Sequence, residues 1–88
     1  MTYTERMSNL KELLDSQHEW PGNYTFKFIV PGNKSKELKD IVASEESFSR
    51  PSRSGKYTSM TFEIKCQSSD DVISIYQKVS KIEGIVTL

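Results

Sequence analysis

The sequence predicts an α+β protein: a ferredoxin-like βαββαβ two-layer sandwich with a four-stranded antiparallel sheet and an extra N-terminal helix. Three observations carry this. First, Tyr57 to Cys66 alternates cleanly, with Met60, Phe62, Ile64 and Cys66 on one side and Ser59, Thr61, Glu63 and Lys65 on the other. That is the pattern of a strand in a sheet covered on one face. Second, after residue 22 the apolar spacing runs strand, helix, strand, strand, helix, strand. Right-handed crossovers place both of these helices on the same face. Third, 88 residues with 35% hydrophobic content support one domain with one thin core. A chain of this length buries about 60% of its unfolded surface, which leaves no interior for a deep cleft. The expected organisation is a single domain over 1–88, with a helical extension at 1–20 and the ferredoxin-like core at 23–88.

The elements follow in order. Tyr3, Met7, Leu10, Leu13 and Leu14 form one helical stripe, so a helix is expected over 4–17. It stops before Trp20-Pro21-Gly22, because the residue ahead of proline avoids the helical region. Tyr24 to Val30 has strand composition, with Phe26, Phe28 and Val30 on one face and Thr25, Lys27 and Ile29 on the other. Pro31-Gly32-Asn33 breaks the strand. Ser35 is the expected N-cap of a short helix carrying Leu38, Ile41 and Val42. Glu45 and Glu46 follow it. Phe48 to Pro51 reads as an edge strand, where proline is tolerated. Ser52-Arg53-Ser54-Gly55 is a loop before the strand from Tyr57. Ser68 or Ser69 is the expected cap of the next helix, with Asp70 and Asp71 at its positive end. Its stripe is Val72, Ile75, Tyr76, Val79 and Ile82. Lys78 and Lys81 suit its negative end, and Gly84 suits the stop. Ile85 to Leu88 is the last strand.

Composition narrows the function classes. Twelve Lys and Arg balance twelve Asp and Glu, which argues against general nucleic-acid or membrane-surface binding. The single cysteine, Cys66, forbids an internal disulfide and a multi-cysteine zinc site, and fits a reducing, cytoplasmic compartment. Met1 to Leu14 has no apolar signal-peptide core, and no window approaches the ~20 apolar residues of a membrane span. Glycine-rich nucleotide motifs and internal repeats are absent. No metal or cofactor is expected. His18, the one histidine, reads as a surface-loop residue, and Cys66 as a buried thiol. The acidic pairs Asp70-Asp71 and Glu45-Glu46 are explained by helix-end bias and solvation. No pair of titratable groups suggests acid–base chemistry, so no catalytic residue is assigned and the chain is expected not to be an enzyme.

The run Gly55-Lys56-Tyr57-Thr58-Ser59-Met60-Thr61 resembles the G-x-Y-x-S strand of the YbeD-like family of small, uncharacterised bacterial proteins. The helix carrying Val72, Ile75 and Tyr76, with its Ile82-Glu83-Gly84-Ile85 ending, is similar too. Leu10-Lys11-Glu12-Leu13-Leu14 resembles the family's N-terminal L-x-E-L-L, and Tyr24 to Val30 its first strand. Between Val30 and Tyr57 this chain is shorter than better-known members, which reduces the helix there. The resemblance implies a ferredoxin-like fold, similar to that of ACT regulatory domains, which bind small molecules and pair with another copy. It implies no established activity.

Two segments are candidate ligand contacts. Arg50, Arg53 and Lys56 lie among serines in a loop that could grip a phosphate or carboxylate. Gly32 and Asn33 occupy the strand-to-helix connection that in ACT domains contributes to the ligand site. Lys27, Ser59, Thr61, Glu63 and Lys65 are expected on the uncovered sheet face, where they give RNA bases little to stack on. That face is expected to take the N-terminal helix, pair with another copy, or meet solvent. The primary expectation is a small non-enzymatic regulatory or adaptor module acting through protein contacts, with a homodimer as one form. The alternative is an ACT-like sensor binding an anionic metabolite.

Overall fold

Two long strands make the spine of the molecule. β1 (Gly22–Pro31) pairs antiparallel with β3 (Tyr57–Cys66) along their whole lengths, from Gly22 opposite Cys66 to Pro31 opposite Tyr57. β2 (Phe48–Pro51) borders β3, and β4 (Val86–Thr87) borders β1. The sheet order is β2-β3-β1-β4 with antiparallel neighbours throughout. Together with α2 (Ser35–Val42) after β1 and α3 (Ser69–Val79) after β3, this is the ferredoxin-like βαββαβ arrangement. α1 (Tyr3–Gln17) precedes it. The structure, a computed structural model, describes residues 2–44 and 46–88. The side chains of Tyr3 and Thr4 and the whole of Glu45 lie outside the described residues, and with them the expected places of Tyr3 on its stripe and of Glu45 beside Glu46.

Alternation puts Phe26, Phe28 and Val30 of β1 on the same side as Met60, Phe62 and Cys66 of β3. All six are buried beneath Leu38 and Val42 of α2 and Val72 and Val79 of α3. Phe62 and Val79 are 0% and 1% exposed within the same core. Tyr76 of α3 lays its ring edge-on against Phe26 at 5.2 Å, a favoured aromatic geometry.

α1 is capped by Thr2, whose Oγ1 accepts the Glu5 N–H at 3.2 Å, and it ends before the cis Trp20–Pro21 bond. It does not lie on the uncovered side of the sheet, one of the places expected for it. It joins the helical layer beside α3, with Leu14 buried in the core and Leu10 against its edge. A polar clasp adds to this burial. Lys11 Nζ reaches Asp70 Oδ1 at 2.9 Å and Ser69 Oγ at 3.2 Å, at the start of α3. One turn on, Asp15 accepts the Trp20 indole N–H at 3.0 Å and a bond from the buried Ser69 hydroxyl.

Three helix ends differ from expectation. Ser35 is the first residue of α2 rather than its cap; its hydroxyl donates back to Gly32 O at 3.0 Å across the 3-10 turn Gly32–Lys34. Ser68 stands at the N-cap of α3 as expected but its side chain makes no capping bond; the Asp71 N–H goes to the Ser68 carbonyl at 3.1 Å, and the Asp71 carboxylate accepts the Gln67 N–H at 2.7 Å. α3 ends at Val79, so Ile82 is buried from the following turn. Gly84 occupies that turn with φ +82°, and a Cβ there would lie 3.0 Å from Pro31 Cγ. Both facts require glycine.

Candidate functional site

The candidate site is the sheet face turned away from the helices. Residues directly opposite in a ladder share a face. Ile29 lies opposite Ser59 and Val86, and Ser59 opposite Arg50, which sets one row across all four strands. Lys27, Thr61 and Phe48 form the next row. Tyr57, opposite Pro31, stands at the end of β3. Leu88 continues the β4 edge, its N–H donating to Lys27 O at 3.0 Å.

This face is more apolar than expected. Phe48, Tyr57 and Val86 are 59%, 47% and 49% exposed, and Ile29 is half-buried among them. Large exposed apolar side chains gathered on one face are the usual mark of an interaction surface. Ile29 and Tyr57 line a shallow groove of about 210 Å³ together with Arg50, Pro51, Ser52 and Ser59. Ser59 and Thr61 do occupy this face, but the aromatics absent from the middle of β3 stand at its start and on β2. Tyr57 shares the parity of Ser59 and Thr61, so extending the alternation by one step identifies it. Phe48 depends on the β2–β3 register, which the loop sequence does not announce.

The face is also basic. Lys27, Arg50 and Lys65 stand on it against Glu63, with Arg53 and Lys56 in the adjoining loop. Three cations on the helical side are paired: Lys11 with Asp70, Lys34 with Glu37 at 3.5 Å, and Lys39 with Glu46 at 3.2 Å. Lys27 and Arg50 have no ion-pair partner among the described residues.

Four of the five candidate ligand residues lie on two connections that meet at one end of the molecule. Gly32 donates its N–H to Lys56 O at 2.9 Å, prolonging the β1–β3 ladder and joining the two connections. A Cβ on Gly32 would lie 2.9 Å from Gly55 O, so glycine is needed for this approach. The same bond consumes the Gly32 N–H that a ligand would use. Asn33, Arg53 and Lys56 are exposed around it, and Arg50 stands apart in the groove.

The remaining reactive groups are absorbed by packing. His18 is half-buried rather than a surface residue, with its ring 5.4 Å from Trp20 and 5.3 Å from Tyr24. Cys66 is buried, and burial pushes its thiol pKa up, keeping it protonated. Burial and the 3.2 Å contact with the Tyr24 hydroxyl likewise raise the Tyr76 phenol. Among the described residues no group of three or more His, Cys, Asp or Glu could hold a metal ion, and no helix is long and apolar enough to cross a membrane.

The molecule is thus a small ferredoxin-like α+β protein with an N-terminal helix in its helical layer and one sheet face uncovered. Residues 15–88 match the family described as "Protein of unknown function (DUF493)", and the chain belongs to that family, the YbeD-like proteins. The UPF0250 proteins of Haemophilus influenzae strains PittEE, PittGG and Rd are each 26% identical over 93 residues, covering 97% of this chain and 96% of theirs. No solved structure matches the chain.

Proposed function

We propose that the chain is a non-enzymatic regulatory or adaptor module that works through protein contacts on the open face of its sheet. The observation that supports this is the gathering of Phe48, Tyr57, Val86 and Ile29 on a face that no element among the described residues covers. Aromatic side chains in such a position supply most of the energy of protein interfaces. The test is recovery of the untagged chain from its native cells beside a Phe48→Glu, Tyr57→Ser double variant. The wild type is expected to bring down a defined protein that the variant loses, at an unchanged melting temperature. Equal recovery by both overturns the assignment.

The meeting of the 31–34 turn with the 52–56 loop favours a second function, an ACT-like sensor of an anionic metabolite. A ligand bound only to the native state raises its stability by mass action. A melting shift above about 1 °C with one metabolite, abolished by Arg53→Ala, would put the sensor in first place.

A further inference from the structure

Building on the protein-contact function, we propose that the groove over Ile29 and Ser59, between Arg50 and Tyr57, receives an acidic peptide segment of a partner protein. One apolar side chain of the peptide rests on the groove floor, and a neighbouring carboxylate pairs with Arg50. The volume, about 210 Å³, suits a single side chain rather than a folded surface element. Ile29 supplies an aliphatic floor and Tyr57 an aromatic wall. Arg50 offers a planar fork of donors that matches a carboxylate in two bonds.

Charge complementarity names the partner's chemistry. Lys11, Lys34 and Lys39 are paired with carboxylates on the helical side, whereas Lys27 and Arg50 on the open face have no ion-pair partner among the described residues, and Arg53, Lys56 and Lys65 add to the same field against Glu63 alone. In a chain of zero net charge this leaves a basic sheet face and an acidic helical side. The basic face attracts an acidic partner and repels a copy of itself. Among polyanions, a peptide suits the groove better than a nucleic acid. The floor is aliphatic, and Tyr57 is the one ring that lines it, which gives successive bases no stacking platform.

The experiment uses the full chain, isotope-labelled for NMR, and three probes: a twelve-residue peptide alternating Glu with Leu and Phe, the same peptide with Lys for Glu, and a single-stranded oligothymidylate. The acidic peptide is expected to shift the amides of Ile29, Arg50, Tyr57 and Ser59. Its affinity should fall about tenfold with Arg50→Glu and comparably in ~0.5 M NaCl. Equal binding of the Lys peptide, shifts confined to the helices, or indifference to Arg50→Glu overturns the inference. Tighter binding of the oligothymidylate gives the groove to nucleic acid, and sedimentation showing self-association lost in Arg50→Glu gives it to a second copy; either overturns it. Failure of every probe also overturns it, while the protein-contact function stands or falls separately on the Phe48→Glu, Tyr57→Ser recovery experiment.

Discussion

The two faces of the sheet are built from the same strands and differ by one step of side-chain parity. On one face Phe26, Phe28 and Phe62 lie beneath α2 and α3 without exposure. On the other, Lys27 and Thr61 share their row with the exposed ring of Phe48. Both faces carry aromatics, so aromatic content does not tell a core from a docking surface. What separates them is cover and charge. The covered face has no charged side chain among its buried residues, whereas the open face sets its apolar residues beside Lys27 and Arg50, which have no ion-pair partner among the described residues. On the open face half-exposed rings stand beside cations that have no ion-pair partner among the described residues, a pairing of features that the covered face lacks.

The largest effect belongs to the covered face. Phe62→Ala empties the centre of the core and should cost about 3–5 kcal/mol. A domain of this size has a total stability of roughly 4–13 kcal/mol, so chemical denaturation should show a severely weakened or unfolded chain. A loss under about 1 kcal/mol would show that the core is not where the burial places it.

On the open face the ordering of effects reverses. Tyr57→Ser should change stability by about 0.5 kcal/mol or less, because nearly half of the side chain already meets water. Yet it removes one wall of the groove, so it should weaken acidic-peptide binding about tenfold while the denaturation midpoint barely moves. If Tyr57→Ser destabilised as much as Phe62→Ala, the two faces would not be distinct, and Tyr57 would belong to the scaffold.

Most of the fold was legible because alternation is a local signal. Met60, Phe62 and Cys66 identify the covered face of β3 with no knowledge of what covers it, and Val72 and Val79 identify the matching face of α3. The places where the sequence was silent are those set by distant partners. Leu10, Leu13 and Leu14 declare an amphipathic helix, but the surface that it covers is fixed by Lys11 and Asp15 meeting Ser69 and Asp70, 58 to 59 residues from Lys11. Ser35 and Ser68 look like capping side chains, but the Ser35 hydroxyl donates to Gly32 O, and the Asp71 N–H that a Ser68 hydroxyl would accept goes to the Ser68 carbonyl at 3.1 Å. The candidate site was half-legible. Arg50, Arg53 and Lys56 announced a basic loop, but the rings beside it emerge only with the β2–β3 register.

The clasp offers the smallest and sharpest test, because it adds a polar tie between α1 and α3 to the burial of Leu14. The Asp15 carboxyl is held below its ordinary value, chiefly by the Ser69 hydroxyl, with help from the Trp20 N–H and Lys11. A carboxyl depressed by folding adds stability above its unfolded value and loses it as pH falls through the folded one. Melting temperature should therefore drop as the solution is acidified below about pH 4, and Asp15→Asn should flatten that drop while lowering stability slightly at neutral pH. Glu46, depressed by its own backbone N–H and by Lys39, contributes a drop of the same sign that Asp15→Asn leaves intact, so the flattening is partial. In Asp15→Asn, α1 should stay beside α3, because Leu14 remains buried, and acidic-peptide binding should be unchanged. Loss of peptide binding in this variant alone would mean that α1 had left its place and covered the groove, making the clasp part of the open face's own control.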